Sequence, residues 1–121
     1  MAGKAVISLT TGMEDAEKVT VAFLVGVGSA ESERPTLMFL TKEAVRLVVG
    51  DVARGTACAG CPPLEDLLLR YADAGGRFMV CPICFDAKHL DKAKLLANAE
   101  LAGTVAMWEW MGDAAANTFS Y

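Results

Sequence analysis

The segment from Pro63 to Cys81, PLEDLLLRYADAGGRFMVC, constrains the fold more than any other part of the chain. Leu64, Leu67, Leu68 and Tyr71 recur at the spacing that lines one face of a helix. Pro63 suits the first position of such a helix, and Gly75-Gly76 stops it. Arg77 to Cys81 then reads as an apolar strand. An amphipathic helix that turns on two glycines into a core strand is the second half of a βαβ crossover. Such a unit requires a parallel sheet.

The flanking segments repeat the alternation. Lys4 to Thr10 reads as a first strand ending in a Thr-Gly turn. Glu14, Asp15 and Glu17 supply the acidic first turn of a helix running to about Ala30. Its middle, VTVAFLVGV, is apolar on nearly every face, which predicts cover from the sheet on one side and from another subunit on the other. Gly26 and Gly28 follow a helix rather than a strand, so they read as close packing and not as a phosphate-binding turn. Thr36 to Thr41 is a second strand, Lys42 to Val49 a short helix, and Gly50 to Pro63 a loop. Beyond Cys84, the pattern predicts a charged helical stretch over Asp91 to Ala97. It then gives a brief strand over Glu100 to Ala102, a helix over Val105 to Gly112 with Thr104 as its N-cap, and a last strand over Asn117 to Tyr121. The whole chain, residues 1 to 121, reads as one three-layer α/β/α domain with a mostly parallel sheet of about five strands.

All four cysteines flank the crossover, as Cys58-x-x-Cys61 before the helix and Cys81-x-x-Cys84 after the strand. The helix from Pro63 to Gly75 would be roughly 20 Å long and the strand from Arg77 to Cys81 roughly 16 Å. Going down one and up the other returns the chain to nearly the level it left. Both pairs are therefore expected at the carboxyl edge of the sheet, where open α/β folds place their sites. Pro82 biases Cys81 towards extended backbone and suits the first position of a following helical turn. That puts Cys81 near an N-cap and Cys84 in the first turn, where backbone N–H groups favour a thiolate. Lys88 and His89 would add positive charge nearby. Cys81 is the candidate nucleophile.

Composition sets the chemical context. The net charge is −4 and the eleven Lys and Arg residues are scattered singly, which argues against nucleic acid or an anionic membrane as partner. The most apolar run, Val19 to Val27, is about half of the ~20 residues needed to span a bilayer, and residues 1 to 10 lack the pattern of a signal peptide. The cytoplasm is the expected compartment. There, four cysteines read as metal-binding or reactive rather than as structural disulfides. A 54% hydrophobic content is high for a small monomer and predicts a homo-oligomer.

Three readings of the thiols stay open on the residues alone. The C-x2-C-x19-C-x2-C spacing suits a zinc site with Cys58, Cys61, Cys81 and Cys84 as ligands, yet the intervening segment is a core helix and strand rather than a polar hairpin. A dithiol oxidoreductase fits a C-x-x-C at a helix start, although Pro82 follows the first cysteine instead of preceding the second. The third is a persulfide carrier or transferase, which needs a reachable thiolate, little acid–base machinery and no bound cofactor. The single histidine, His89, lies in a polar stretch and reads as a surface residue. Trp108 and Trp110, with Met107 and Met111, read as core or subunit-interface packing.

The segments KAVISLTTGMED, KVTVAFLVGV, PTLMFLTKEAVRLV, YADAGGRFMVCPICFDA and NTFSY together resemble the DsrE-like family. These are small α/β proteins that include sulfur-relay subunits and YchN-type proteins, and the resemblance spans essentially the whole chain. It implies a persulfide-carrying cysteine at the end of the strand that follows the Gly-Gly turn, which is Cys81 here. It also implies a sulfur donor or acceptor protein as partner. Cys84, Cys58 and Cys61 are not part of the family's general pattern. On this reading Cys84 is a resolving or second thiol beside Cys81, and Cys58 and Cys61 are supporting thiols.

Overall fold

A computed structural model of the chain describes residues 3–55, 58–113 and 115–121. Residues 56 and 57, within the loop expected over Gly50–Pro63, lie outside the described residues. Five strands form one sheet in the order β4-β3-β2-β1-β5, every neighbouring pair parallel. They are β1 (Lys4–Leu9), β2 (Thr36–Leu40), β3 (Arg77–Val80), β4 (Ala99–Leu101) and β5 (Ala116–Ser120). The helices are α1 (Ala16–Glu31), α2 (Leu64–Asp73), α3 (Pro82–Ala87) and α4 (Thr104–Met111).

From β1 to β4 the strand order advances in one direction, and right-handed crossovers then place every connecting helix on one face. The step from β4 to β5 reverses across the whole sheet, so α4 lies on the other face. This gives the three layers, and it makes them unequal. On the first face Ile7, Leu9, Met38, Leu40, Phe78 and Val80 join the inner sides of α1, α2 and α3 in one large core. On the second face Leu37, Phe39 and Met79 pack against Ala102 and, from α4, Ala106, Met107 and Trp110. Phe78 and Val80 thus face one layer and Met79 the other, all three buried, which is the alternation expected of an interior strand.

Two glycines set the spacing of the first layer. A Cβ at Gly26 would lie 3.2 to 3.4 Å from Met38, Ile7 and Tyr71, so this glycine lets α1 settle onto the sheet and onto α2. Gly75 takes φ +88° to end α2, and a Cβ at Gly76 would lie 2.4 Å from the ring of Tyr71. That ring is buried against Phe78 and Phe23, with centroids 4.9 and 6.4 Å away, and its hydroxyl donates to the carbonyl of Arg77 at 2.7 Å. α4 is secured at its carboxyl end by Lys4. The Lys4 ammonium donates to the carbonyls of Trp110 and Met111 and lies 4.9 Å from the centre of the Trp110 ring. A cation there complements the helix dipole.

Several local expectations differ from the structure. The stretch Asp91–Ala97 is not a helix beyond one 3-10 turn at Lys92–Lys94. Leu95 instead bridges to Val49 in antiparallel fashion, and Leu96 donates to the Val48 carbonyl at 3.0 Å. This extended path lets Leu95 and Leu96 pack against the main core, where a helix of that charged composition had no apolar face to bury. Lys42–Val48 is 3-10 rather than α, with Ala44, Val45, Leu47 and Val48 buried. Pro63 is the N-cap of α2 rather than its first residue, and Gly103 rather than Thr104 caps α4.

Candidate functional site

Cys81 leaves β3 at the carboxyl edge of the sheet and is the N-cap of α3, with Pro82 at the first helical position. Its backbone is held from both sides. The Cys81 N–H donates to the Leu40 carbonyl at 3.0 Å, and the Cys81 carbonyl accepts from Phe85 N–H at 3.0 Å. Next to it, Ala102 N–H donates to the Val80 carbonyl at 3.1 Å, so the turn into α4 lies alongside. Cys81 and Cys84 are both free thiols of intermediate exposure. Cys84 packs against the main core, whereas the Cys81 side chain makes no capping hydrogen bond to the helix. Between them Ile83 is 81% exposed, an apolar side chain projecting beside the thiols.

The platform under α3 is a small charged lattice. Lys88, just past α3, pairs with Glu43 at 3.3 Å, and Glu43 also accepts from Arg46 at 2.9 Å. The Arg46 hydrogen bond, helped by Lys88, holds the Glu43 carboxyl below its usual range. Gly12 in the turn after β1 comes so close to this segment that a Cβ would lie 2.7 Å from the Glu43 carbonyl oxygen. The loops after β1, β2 and β3 are thereby packed together around the Cys81 edge. The Lys88 charge expected beside the thiols is engaged by Glu43, and His89 is exposed. Glu43 and Ile83 carried no motif in the sequence. Exposure of Ile83 and the reach of Glu43 to Lys88 depend on how α3 docks, which no local pattern encodes.

The other pair behaves differently. Cys58 and Cys61 are joined as a disulfide, with Cα atoms 5.1 Å apart, where the sequence predicted reduced supporting thiols. The reason is local. Gly60 takes φ +76°, and Cys61 N–H donates to the Cys58 carbonyl at 3.0 Å, closing a tight turn that brings the two sulfurs together. In chain order Cys58 and Cys61 lie just before α2, and Cys81 lies just after β3. Among the described residues, no three His, Cys, Asp or Glu side chains gather closely enough to hold a metal ion. Of the four cysteines, Cys58 and Cys61 are brought together as one pair, and Cys81 and Cys84 are free thiols. Among the described residues no helix is long and apolar enough to cross a membrane.

Comparison with solved structures places this architecture. The ychN protein of E. coli superposes with a TM-score of 0.78 over 99% of this chain and 100% of its own, at 17% identity. The chain has the ychN fold. The same fold occurs in the MTH1491 protein of Methanobacterium thermoautotrophicum, with a TM-score of 0.65, 12% identity and coverage of 97% and 99% of the two chains. It occurs again in the BT1422 protein of Bacteroides thetaiotaomicron, with a TM-score of 0.66, 15% identity and coverage of 98% and 95%. Both of those proteins are described as of unknown function. No protein-family model and no curated protein matches the sequence. The three-layer α/β/α architecture is the one expected from the sequence, and the sheet, expected to be mostly parallel, is parallel at every observed pairing.

Proposed function

We propose that the protein is a sulfane-sulfur carrier of the relay type, with Cys81 as the acceptor. The observation that carries this reading is the placement of Cys81. It is a free, partly exposed thiol fixed at the junction of an interior strand and a helical first turn. The chemistry asks for little else. The Cys81 thiolate attacks the outer sulfur of a donor persulfide, the donor thiolate leaves, and Cys81 becomes the persulfide. No general base, metal or bound cofactor enters that step. A reducing compartment such as the cytoplasm suits it, because Cys81 and Cys84 remain thiols there. The exposed Ile83 beside the site suits contact with a donor or acceptor protein.

We also infer a homo-oligomer. Val21 and Leu24, three residues apart on the outer side of α1, and Val105 and Trp108, likewise three apart on α4, are all exposed. Two apolar pairs on opposite layers are the surplus that subunit contacts absorb.

The test of the carrier reading is loading. Reduced protein treated with an organic persulfide and desalted should gain ~32 Da per chain in intact mass. Cys81→Ser should abolish the gain, and Cys58→Ser should keep it. A gain that survives Cys81→Ser would remove Cys81 from the reaction.

A further inference from the structure

Cys84 has a position that a passive carrier does not need. The N-cap and third residues of a helix are reciprocal neighbours, as in the capping box, where each reaches back to the other. Cys81 and Cys84 occupy those two positions of α3. In a helical turn, residues three apart have Cα atoms roughly 5 Å from each other, inside the range that a disulfide spans. The same chain demonstrates the geometry: the identical spacing at Cys58 and Cys61 is closed as a disulfide with Cα atoms 5.1 Å apart. Both turns are pinned from the first cysteine's carbonyl at 3.0 Å, by the Cys61 N–H three residues on in the first pair and by the Phe85 N–H four residues on in the second. The two thiols of the second pair are also differently placed. Cys84, at the third helical position, rests against the main core, and Cys81 is the N-cap at the end of β3. An incoming persulfide therefore meets Cys81, while Cys84 approaches the loaded sulfur from the protein side.

We propose that the protein is a persulfide reductase as well as a carrier: Cys84 discharges the sulfur held on Cys81 as hydrosulfide. The proposal rests on the reading of Cys81 as the acceptor. In the step, the Cys84 thiolate attacks Sγ of Cys81, a Cys81–Cys84 disulfide bond forms, and the bond from Cys81 Sγ to the outer sulfur breaks. The outer sulfur departs with the bonding electron pair and a proton as hydrosulfide. The sulfane sulfur is reduced by two electrons and the two cysteines are oxidised by two, so the single turnover balances without a co-reactant. A second turnover requires an external dithiol, which exchanges with the new disulfide and restores both thiols. The sulfur leaving group is small and low in basicity beside a protein thiolate, which favours discharge over return.

The test uses the full chain carrying Cys58→Ser and Cys61→Ser, so that only the second pair can form a disulfide. Reduced protein is loaded with an organic persulfide, desalted, and followed by intact mass and by sulfide release. The expected course is a gain of ~32 Da that decays, with about one sulfide released per chain, to a mass ~2 Da below the reduced chain. Cys84→Ser in the same background should hold the added sulfur, with sulfide release at least roughly tenfold slower. Equal persistence of the added sulfur with and without Cys84 would overturn the reductase proposal and leave the carrier reading standing. No gain in either protein would defeat the carrier reading and this proposal with it. Should the Cys84→Ser chain fail to fold, peptide mapping after sulfide release decides. A Cys81–Cys84 linked peptide supports the proposal, and its absence overturns it.

Discussion

Tyr71→Phe isolates one hydroxyl at the point where α2, β2 and β3 meet, and its effect should fade as pH rises above ~10. The ring is fully buried between Phe23 and Phe78 and would stay in place as phenylalanine. The lost group donates to the Arg77 carbonyl at 2.7 Å and lies 3.3 Å from the Thr36 carbonyl. Leaving a mostly buried carbonyl without its donor should cost about 1–2 kcal/mol at neutral pH. Burial, only partly offset by the Arg77 carbonyl contact, pushes the Tyr71 phenol well above its ordinary value of 10.0. The folded phenol therefore keeps its proton where the unfolded one loses it. A pKa raised on folding gives stability that is complete below the unfolded value and is lost as pH rises beyond it. The wild type should then lose up to about 1.4 kcal/mol per pH unit above pH ~10 through this group alone, and the variant should not. The gap of about 1–2 kcal/mol at pH 7 should shrink to within about 0.5 kcal/mol at pH ~11. Urea unfolding of both proteins at pH 7, 9, 10 and 11 measures it, since the other titrating groups are common to the pair. A gap that stays constant up to pH 11 would refute the burial argument.

Gly76→Ala and Gly28→Ala should move stability in opposite directions. The first drives a methyl to 2.4 Å from a Tyr71 ring that has no room to retreat, and should cost about 2–4 kcal/mol. The second adds a methyl to open space within α1 and should gain about 0.5–1 kcal/mol; denaturant midpoints that fail to separate the two would show that packing at Gly76 is slack. For assembly, sedimentation at micromolar concentration should show a dimer or larger, and Leu24→Glu should reduce its size without loss of helical signal. A wild-type monomer would remove the argument from the exposed apolar pairs.

The fold was legible where local composition and long-range need agreed. Leu64, Leu67 and Tyr71 marked the inner side of α2, Gly75-Gly76 its end, and Phe78, Met79 and Val80 a strand buried on both faces, and all of these are observed. One consequence of the Gly-Gly turn was not legible: only the packed structure reveals that Gly76 makes room for a ring five residues earlier. The stretch Asp91–Ala97 was misread because its lysines and alanines favour helix, whereas Leu95 and Leu96 gain more by pairing with residues 48–50 and reaching the core. Tertiary burial overrode propensity there. Position on the sheet was legible for Cys81, from Pro82 and the strand before it, because both act within a few residues.

The two C-x-x-C pairs show where sequence reading of the site stops. Their spacing is the same, but the Cys58 carbonyl accepts from Cys61 itself, whereas the Cys81 carbonyl accepts from Phe85, one residue past Cys84. The material on either side differs as well. The turn at Cys58 depends on Gly60 at φ +76°, and Ala59 and Gly60 are exposed. The turn at Cys81 continues an interior strand and is followed by Phe85, which is fully buried. A reacting sulfur must be held within a fraction of an ångström of its partner, and sites built on rigid elements meet that need better than sites on loops. Of two motifs with the same spacing, the one between β3 and α3 is therefore the one for which we propose sulfur chemistry.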